Sequence, residues 1–231
     1  PVDSKRADIP RQNGLPLWYV VRFKGESVED VASELSRLGE VQKVDLNRKV
    51  RRAYNGKAVP LRSEKLTRAN SALSGEMNDP LLVEQWNLIN NGDLFLKDGV
   101  VKSVKDADIQ AAGAWEKCTG NGDVIVAVLD EGIFVEHPDL KANIWVNEDE
   151  IARSHEDNDG NGYAGDVNGY NFVKKMGQIT WNDYLDSGHG SHVAGVIAAV
   201  NNNGEGISSI AGGNGKSGGV KIMSCQIFSG N

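Results

Sequence analysis

The stretch DVIVAVLD, residues 123–130, decides the predicted fold class. Six apolar residues, most of them β-branched, run without a break up to an aspartate. A strand buried on both faces requires a continuous apolar run, whereas a strand with one solvated face alternates apolar and polar residues. The stretch therefore predicts an inner strand of a parallel sheet. Its carboxyl end carries Asp130, and the carboxyl ends of strands are where sites form in open α/β sheets.

The elements around this strand follow an α/β order. Residues 107–118 predict a short amphipathic helix, and residues 189–200 predict a helix whose small residues permit close packing. Residues 219–228 (GVKIMSCQIF) predict another buried strand. Strand, long loop, helix and strand in this order predict a doubly wound, mostly parallel α/β sheet with helices on both faces.

The front of the chain is organised differently. Residues 17–24 (LWYVVRFK) and 40–50 (EVQKVDLNRKV) have the composition or alternation of strands. Between them, Ser27 is a good N-cap, helical apolar spacing follows, and Gly39 ends the run. The pattern predicts a small β-α-β (α+β) unit that is too short to bury much core alone.

Loss of apolar periodicity sets the predicted domain boundaries. Residues 1–60 form the β-α-β unit, and residues 61–78 are interpreted as an exposed linker, the kind of segment where proteolytic nicking concentrates. Order resumes at Asp79, so residues 79–231 are assigned to the main domain.

Composition and charge exclude some classes of protein. The chain is 39% hydrophobic and 25% charged, as soluble globular proteins are. No run approaches the roughly 18 apolar residues of a membrane span. Residues 1–75 carry 15 Lys and Arg against 9 Asp and Glu, whereas residues 76–231 carry 10 against 23. The basic residues are scattered, so no nucleic-acid partner is predicted. The basic residues 1–75 and the acidic residues 76–231 either attract each other or form solvated surfaces of different charge.

The two cysteines give no disulfide framework. Cys225 lies in an apolar run, which favours a buried free thiol. A bridge between Cys118 and Cys225 is the less favoured alternative.

Three polar residues are candidates for chemistry. Asp130 either needs a buried partner or simply caps the turn that follows it. His189 opens a helix between two glycines and can exchange a proton near neutral pH. His192 lies three residues later, but zinc helices use H-E-x-x-H spacing, which is absent. His192 is therefore predicted to be a packed, hydrogen-bonded core residue. A metal hydrolase built on both histidines is kept as a minor hypothesis.

At these motifs the chain resembles a known family. VAVLDEGIFVEHPDL (residues 126–140) looks like the aspartate segment of subtilisin-like serine proteases, and HGSHVAGVIAA (residues 189–199) looks like their histidine segment, in the family's order. NDPLLVEQWNLIN (residues 78–90) resembles the start of the catalytic domain in kexin-like and related calcium-dependent branches. The resemblance covers roughly residues 78–231, and the front unit is similar to the family's pro-segments.

The resemblance implies roles for individual residues. His189 would be the general acid and base, and Asp130 would be its orienting carboxylate. His192 matches a second, non-catalytic histidine. Glu131 stands where the family often has a small hydroxyl or an acid, and Ser191 replaces the usual threonine.

The family's nucleophile segment, G-T-S-x-A-x-P, does not occur in these 231 residues. The resemblance therefore implies a catalytic serine and an oxyanion donor beyond this chain, and inactivity of the 231 residues alone. Neither Ser191 nor Ser229 lies in the nucleophile's sequence context.

The acidic loop EDNDGNGYAGD, residues 156–166, is the second strong feature. Oxygen side chains at alternate positions followed by glycine match the first half of a calcium loop. The predicted structural calcium site takes its ligands from five residues: Asp157, Asp159, Asn161, Tyr163 through its carbonyl, and Asp166. The alternative is a solvated polar turn. Glu148, Asp149 and Glu150 before the loop are predicted to be ordinary acidic surface.

Two functional hypotheses follow. One is a secreted, extracytoplasmic subtilisin-type serine endopeptidase, made as a zymogen, that acts on polypeptides and whose propeptide packs on the catalytic domain. The other is a catalytically inactive, calcium-stabilised binding module.

Overall fold

The computed structural model describes residues 19–25, 27–46, 77–92, 95–96, 101–152, 154–180 and 188–228. The chain divides into two compact units, Pro1–Leu61 and Arg62–Asn231. Among the described residues, no helix has both the length and the apolar character needed to cross a membrane.

The first unit contains helix α1 (Val28–Leu35). Its predicted N-cap is confirmed, because the Ser27 hydroxyl oxygen accepts a hydrogen bond from the Asp30 N–H at 3.0 Å. The helix ends earlier than the predicted stop at Gly39, since the chain passes into turns after Leu35.

The strands predicted on either side of α1 are not present in the part of this unit that the structure describes. Residues 19–23 and 41–46 form no strand there, and residues 17, 18 and 47–50 lie outside the described ranges. Tyr19 and Val20 are 73% and 71% exposed. A strand needs a ladder partner and a covered face, and propensity alone supplies neither. Of the predicted β-α-β unit, the described residues therefore contain only the helix.

The second unit has a parallel sheet at its centre. Strands β3 (Ile125–Asp130), β4 (Gly169–Asn171) and β5 (Lys221–Gln226) pair in the order β3-β5-β4, both pairs parallel. The register places Asp130 opposite Gln226 at the carboxyl end. This confirms the α/β class and a strand at each predicted position. The prediction that residues 123–130 form an inner strand buried on both faces is wrong for the described residues, because β3 lies at the edge of the three-stranded sheet and only one of its faces is covered.

Helix α3 (His189–Ala198) packs on β3 and β5. Its buried face consists of small residues, Gly190, Ala194, Gly195 and Ala198, as its sequence predicted. It shares the main core with apolar residues of the sheet and of the loop after β3: Val128, Ile133, Leu140, Ile144, Val220 and Ile222. On β3, Ile125 and Leu129 remain 48% and 59% exposed, so α3 covers one face of the sheet.

The smaller elements precede and follow β3. Strands β1 (Phe95–Leu96) and β2 (Val101–Lys102) pair antiparallel. A 3₁₀ turn at Leu82–Glu84 lies before β1, and helix α2 (Ala111–Trp115) lies between β2 and β3. A second 3₁₀ turn, at Lys141–Asn143, follows β3.

Helix α2 is shorter than the predicted 107–118 segment because its start is fixed by a turn. Gln110 adopts a left-handed φ of 54°, which cannot continue a helix backwards. The Asp108 carboxylate accepts hydrogen bonds from the N–H groups of Gln110 and Asn90, at 2.7 and 2.6 Å. These bonds hold the preceding residues in a turn, so the helix begins at Ala111.

Within the second unit, the segment that begins at Asp79 is joined to the loop after α3 through a buried carboxylate. Asp79 is 3% exposed and accepts hydrogen bonds from the N–H groups of Asn202 and Asn203 and from the Ser208 hydroxyl. Asp139 accepts from the Ile207 N–H and the Asn203 side chain, and burial raises its pKa. The two carboxylates organise the loop that follows α3.

Candidate active site and metal centre

The structure brings together the aspartate and the histidine that the sequence singled out. Asp130 ends β3 and His189 begins α3, 59 residues later. His189 Nδ1 lies 2.9 Å from Asp130 Oδ1 and 2.8 Å from Oδ2. The Asp130 side chain is 13% exposed and the His189 side chain is 38% exposed. The pair is held at its carboxylate end and open at its imidazole end.

The chemistry of the pair fixes the histidine tautomer. An ionised carboxylate can only accept hydrogen bonds, so Nδ1 of His189 must carry a proton. In the neutral ring, Nε2 then carries the lone pair and can accept a proton. Asp130 Oδ1 also accepts from the Glu131 N–H at 2.8 Å, which restricts rotation of the carboxylate. This arrangement can hold a general base in one orientation.

A glycine at position 190 allows the backbone of α3 to approach the chain that follows β3 closely. A Cβ atom added at Gly190 would collide with the carbonyl oxygen of Gly132 and lie 3.3 Å from Asp130 Cβ. Glycine therefore allows the first turn of α3 to rest directly on the chain that follows β3.

Two side-chain hydrogen bonds join these segments. The Glu131 Oε1 atom accepts from the His189 N–H at 2.7 Å, and the Ser191 hydroxyl oxygen accepts from the Phe134 N–H at 2.9 Å. Glu131 is 1% exposed. The family resemblance marked Glu131 only as a mild departure, and its contact with a residue 58 positions away could not be predicted.

The prediction that His192 packs in the core is wrong. His192 is exposed, because the face of α3 that meets the sheet carries Gly190, Ala194, Gly195 and Ala198. A residue two positions after Gly190 is rotated by about 200° at 3.6 residues per turn, and so points away from that face. The group of potential metal ligands found among the described residues includes neither histidine.

The acidic loop forms a separate cluster, and part of the predicted ligand set converges there. Potential ligand atoms of Asp159, Asp166 and Glu150 lie within 4.8 Å of one another. The Asn161 Nδ2 group donates to Asp159 Oδ2 and Asp166 Oδ2, at 2.9 and 3.1 Å. Three of the predicted residues, Asp159, Asn161 and Asp166, are therefore placed together.

The other two predicted ligands have different contacts. Asp157 Oδ2 accepts from the Gly162 N–H at 2.7 Å, a bond that closes the loop on itself. The Tyr163 N–H donates to Asn161 Oδ1, and the Tyr163 ring packs edge-on against Tyr170 and Phe172. Ligand roles for Asp157 and for the Tyr163 carbonyl stay predictions.

Glu150 is not the ordinary acidic surface residue that was predicted. It is 7% exposed. Its Oε1 atom accepts from the N–H groups of Asn158 and Asp159, at 2.7 and 3.2 Å, and its Oε2 atom accepts from Gly165 at 2.8 Å. Glu148 and Asp149 are exposed, as predicted. Nothing local distinguishes the three acids, because the partners of Glu150 come from the following loop.

Asn147 completes the cluster. It is 9% exposed, and its Nδ2 group donates to Asp159 Oδ2 and Asp166 Oδ1, at 3.0 and 2.9 Å. The hydrogen bond from Asn147 lowers the pKa of Asp159. Burial raises the pKa of Asp166, and the charges of Asp159 and Glu150 raise it further, against hydrogen bonds from Asn147 and Asn161. Crowded carboxylates of this kind are the donor set that a hard cation such as Ca²⁺ prefers.

Both cysteines are free. Cys118 is exposed and Cys225 is half-buried in β5, where burial raises the pKa of its thiol. The expected free Cys225 thiol is thus confirmed, although it is half-buried and not buried, and the bridge to Cys118 is not formed.

The fold and the Asp130–His189 pair agree with the family of the matching sequence segment. Residues 121–231 match the model of the Subtilase family. The match covers just under half of the chain, and the matching segment contains both members of the pair.

Individual relatives match shorter or weaker stretches. Subtilisin-like protease 1 of Plasmodium vivax is 46% identical over 88 residues, which cover 38% of this chain and 13% of the relative. The extracellular protease of Xanthomonas campestris is 35% identical over 143 residues, covering 58% and 21%. The chain thus spans about a fifth or less of the length of these relatives. The Aeromonas sobria serine protease, solved in complex with its chaperone, is 25% identical with a TM-score of 0.46, covering 67% of this chain and 21% of that one.

Proposed function

We propose that this chain supplies the aspartate–histidine half of a subtilisin-type serine endopeptidase. The observation that carries the proposal is the pair of hydrogen bonds, 2.8 and 2.9 Å, between the Asp130 carboxylate and His189 Nδ1. They engage Nδ1 and not Nε2, and the side chain that carries Nε2 is 38% exposed.

In this mechanism His189 moves one proton in each direction. Its Nε2 atom takes the proton of a serine hydroxyl as the serine oxygen bonds to the carbonyl carbon of the scissile peptide. The imidazolium then gives that proton to the leaving amine nitrogen, the C–N bond breaks, and an acyl ester remains. In the second half, Nε2 takes a proton from water as the water oxygen bonds to the acyl carbon, and returns it to the serine oxygen as the ester C–O bond breaks. Asp130 stays ionised and stabilises the imidazolium.

The serine itself is assigned to sequence outside these 231 residues. The Ser191 hydroxyl is engaged with the Phe134 N–H and serves the packing of α3. It therefore receives no catalytic role.

The test is covalent labelling of the complete gene product, expressed with calcium, by a fluorophosphonate probe that reacts with activated serines. One adduct per molecule, lost in Asp130→Asn and His189→Ala, supports the peptidase. A folded wild-type protein without an adduct contradicts it and favours the calcium-stabilised binding module.

We propose further that the cluster at residues 147–166 holds a structural calcium ion. Asp159, Asp166 and Glu150 would contribute carboxylate oxygens, with Asn161 beside them. A divalent cation placed among these groups would relieve the repulsion that accompanies the burial of Asp166.

Two glutamates two residues apart provide a matched test of the calcium site. At calcium about 100 times its Kd, binding adds about 2.7 kcal/mol to the free energy of unfolding. This corresponds to roughly 5–10 °C in Tm for a domain of this size. Glu150→Gln should abolish most of that calcium-dependent rise, whereas Glu148→Gln, at an exposed position, should keep it.

The measurement is Tm with calcium, with magnesium and with chelator. The difference in Tm between calcium and chelator is compared, because Glu150→Gln also weakens N–H bonds in the metal-free protein. An equal calcium response in the two variants would remove Glu150 from the site, and no response in the wild type would remove the site itself.

We also propose that residues 1–60 act as a pro-segment, with processing in residues 61–78 and a catalytic part that begins at Asp79. The support is the charge asymmetry between residues 1–75 and 76–231. A separately made 1–60 segment should bind the catalytic part more weakly as salt rises, because exposed charges are screened within about 8 Å at physiological ionic strength. Binding with no salt dependence would contradict the electrostatic part.

We place the protein outside the cytoplasm. The support is the name of one relative, an extracellular protease, together with the proposed calcium site.

A further inference from the structure

We propose that Glu131 is a positioning residue for His189, holding the main chain of the residue whose ring Asp130 orients. The inference rests on the proposed peptidase function, since positioning matters only if His189 moves protons.

The geometry is a closed circuit of hydrogen bonds between a dipeptide and one residue. The Glu131 N–H donates to Asp130 Oδ1 at 2.8 Å, and the Asp130 carboxylate accepts from His189 Nδ1. The circuit closes where the His189 N–H donates to Glu131 Oε1 at 2.7 Å. Two adjacent acidic residues therefore hydrogen-bond one histidine, Asp130 at its ring and Glu131 at its backbone N–H.

Hydrogen bonds at both the ring and the backbone restrict the movement of His189 more than either bond does alone. The bond to Nδ1 fixes the ring's tautomer and direction but lets the ring travel with any movement of the helix. The bond to the His189 N–H fixes the first residue of α3 relative to the end of β3. Together they limit both the position of the Cα atom and the side-chain rotation of His189.

The place of Glu131 explains why a long acid is required there. Gly188, which precedes the helix, has no side chain with which to cap it. The first N–H groups of a helix need acceptors, and a negative group is favoured at that end. Glu131 lies on the segment after β3 and is 1% exposed. Its side chain is long enough to reach the His189 N–H, and its carboxylate accepts the hydrogen bond from that group.

Two substitutions of nearly equal size separate the role of the acceptor from the role of bulk. Glu131→Gln keeps an oxygen that can accept from the His189 N–H. Glu131→Met keeps the length and the volume but offers no comparable acceptor. Ser191→Ala is the matched control, because it removes the Ser191–Phe134 bond, which joins the same two segments without touching His189.

The first readout is kinetic and uses the complete gene product. In Glu131→Met we expect kcat to fall about 10- to 100-fold with KM within about twofold, since a misplaced base slows chemistry more than binding. Glu131→Gln should stay within about fivefold of wild type. Ser191→Ala should lower Tm and leave kcat unchanged.

The second readout does not depend on activity. In proton NMR, the Nδ1 proton of a histidine bonded to a carboxylate gives a low-field signal. That signal should be sharp in the wild type and in Glu131→Gln, and broadened or lost in Glu131→Met. If the wild type shows no peptidase activity, the proposed function fails, and the NMR comparison still decides the role of Glu131.

Two results would overturn the inference. One is a Glu131→Met protein with wild-type kcat and a sharp Nδ1 signal. The other is equal impairment of the Met and Gln variants, which would show that the charge of Glu131 matters and its grip on the backbone does not.

Discussion

Under the proposed function, Asp130→Asn is expected to lower kcat of the complete gene product by about 10⁴-fold with little change in fold. One oxygen of Asp130 accepts from the Glu131 N–H, so the carbonyl oxygen of an asparagine would take that bond. The asparagine NH₂ group would then face His189 Nδ1 and force that nitrogen to accept. The ring's proton would move to Nε2, where the base must have a lone pair.

The matched control lies just before the same strand. Asp123 is exposed and precedes β3, so Asp123→Asn changes the same charge without contacting His189. It should leave kcat and KM unchanged. Steady-state kinetics on a peptide substrate, with circular dichroism to check the fold, are the measurements. A loss below tenfold in Asp130→Asn would contradict the tautomer argument.

Gly190→Ala is expected to have the second largest effect, about 10²-fold on kcat together with about 1–3 kcal/mol on stability. The new Cβ would meet the Gly132 carbonyl oxygen, which is backbone and cannot rotate away. Helix α3 would have to move by about 1 Å, the size of displacement that costs about 10²-fold in rate.

Gly195 lies on the same helix and provides the control. A Cβ there would meet only Ile207 Cδ1, at an ordinary 3.5 Å. Gly195→Ala should therefore be neutral, or stabilising by about 0.5–1 kcal/mol through helix propensity. Kinetics and thermal unfolding of both variants make the comparison. Equal kcat in the two would show that close approach at Gly190 does not set the geometry of the pair.

The sequence predicted the elements whose reason to form is local. Strand β3 and helix α3 carry their own apolar pattern, so their existence could be predicted. The burial of β3 on both faces could not, because it depends on what covers the second face of the sheet. The strands on either side of α1 could not, because a strand depends on a partner that its own sequence does not specify. The α/β class was therefore accessible, whereas the arrangement of the front unit was not.

The same difference between local pattern and distant contact explains which site residues could be predicted. Asp130 and His189 were found through motifs that resemble those of a family, since nothing in a separation of 59 residues brings two side chains together. Glu150 was misjudged because its burial depends on N–H groups of a loop that follows it. His192 was misjudged because a helix's buried face is set by what it packs against.

The loop that carries the acidic cluster leads directly into β4, which has three residues and pairs with β5. Under the proposed function, each molecule shares its solution with identical peptidases that can cleave any locally unfolded segment. An edge strand this short can detach without unfolding the rest of the sheet. Its partner β5 also pairs with β3, where Gln226 lies opposite Asp130. A cation bound in the preceding loop would slow that detachment. If the proposed peptidase and the proposed calcium site both hold, calcium would set the rate at which the molecules cleave one another.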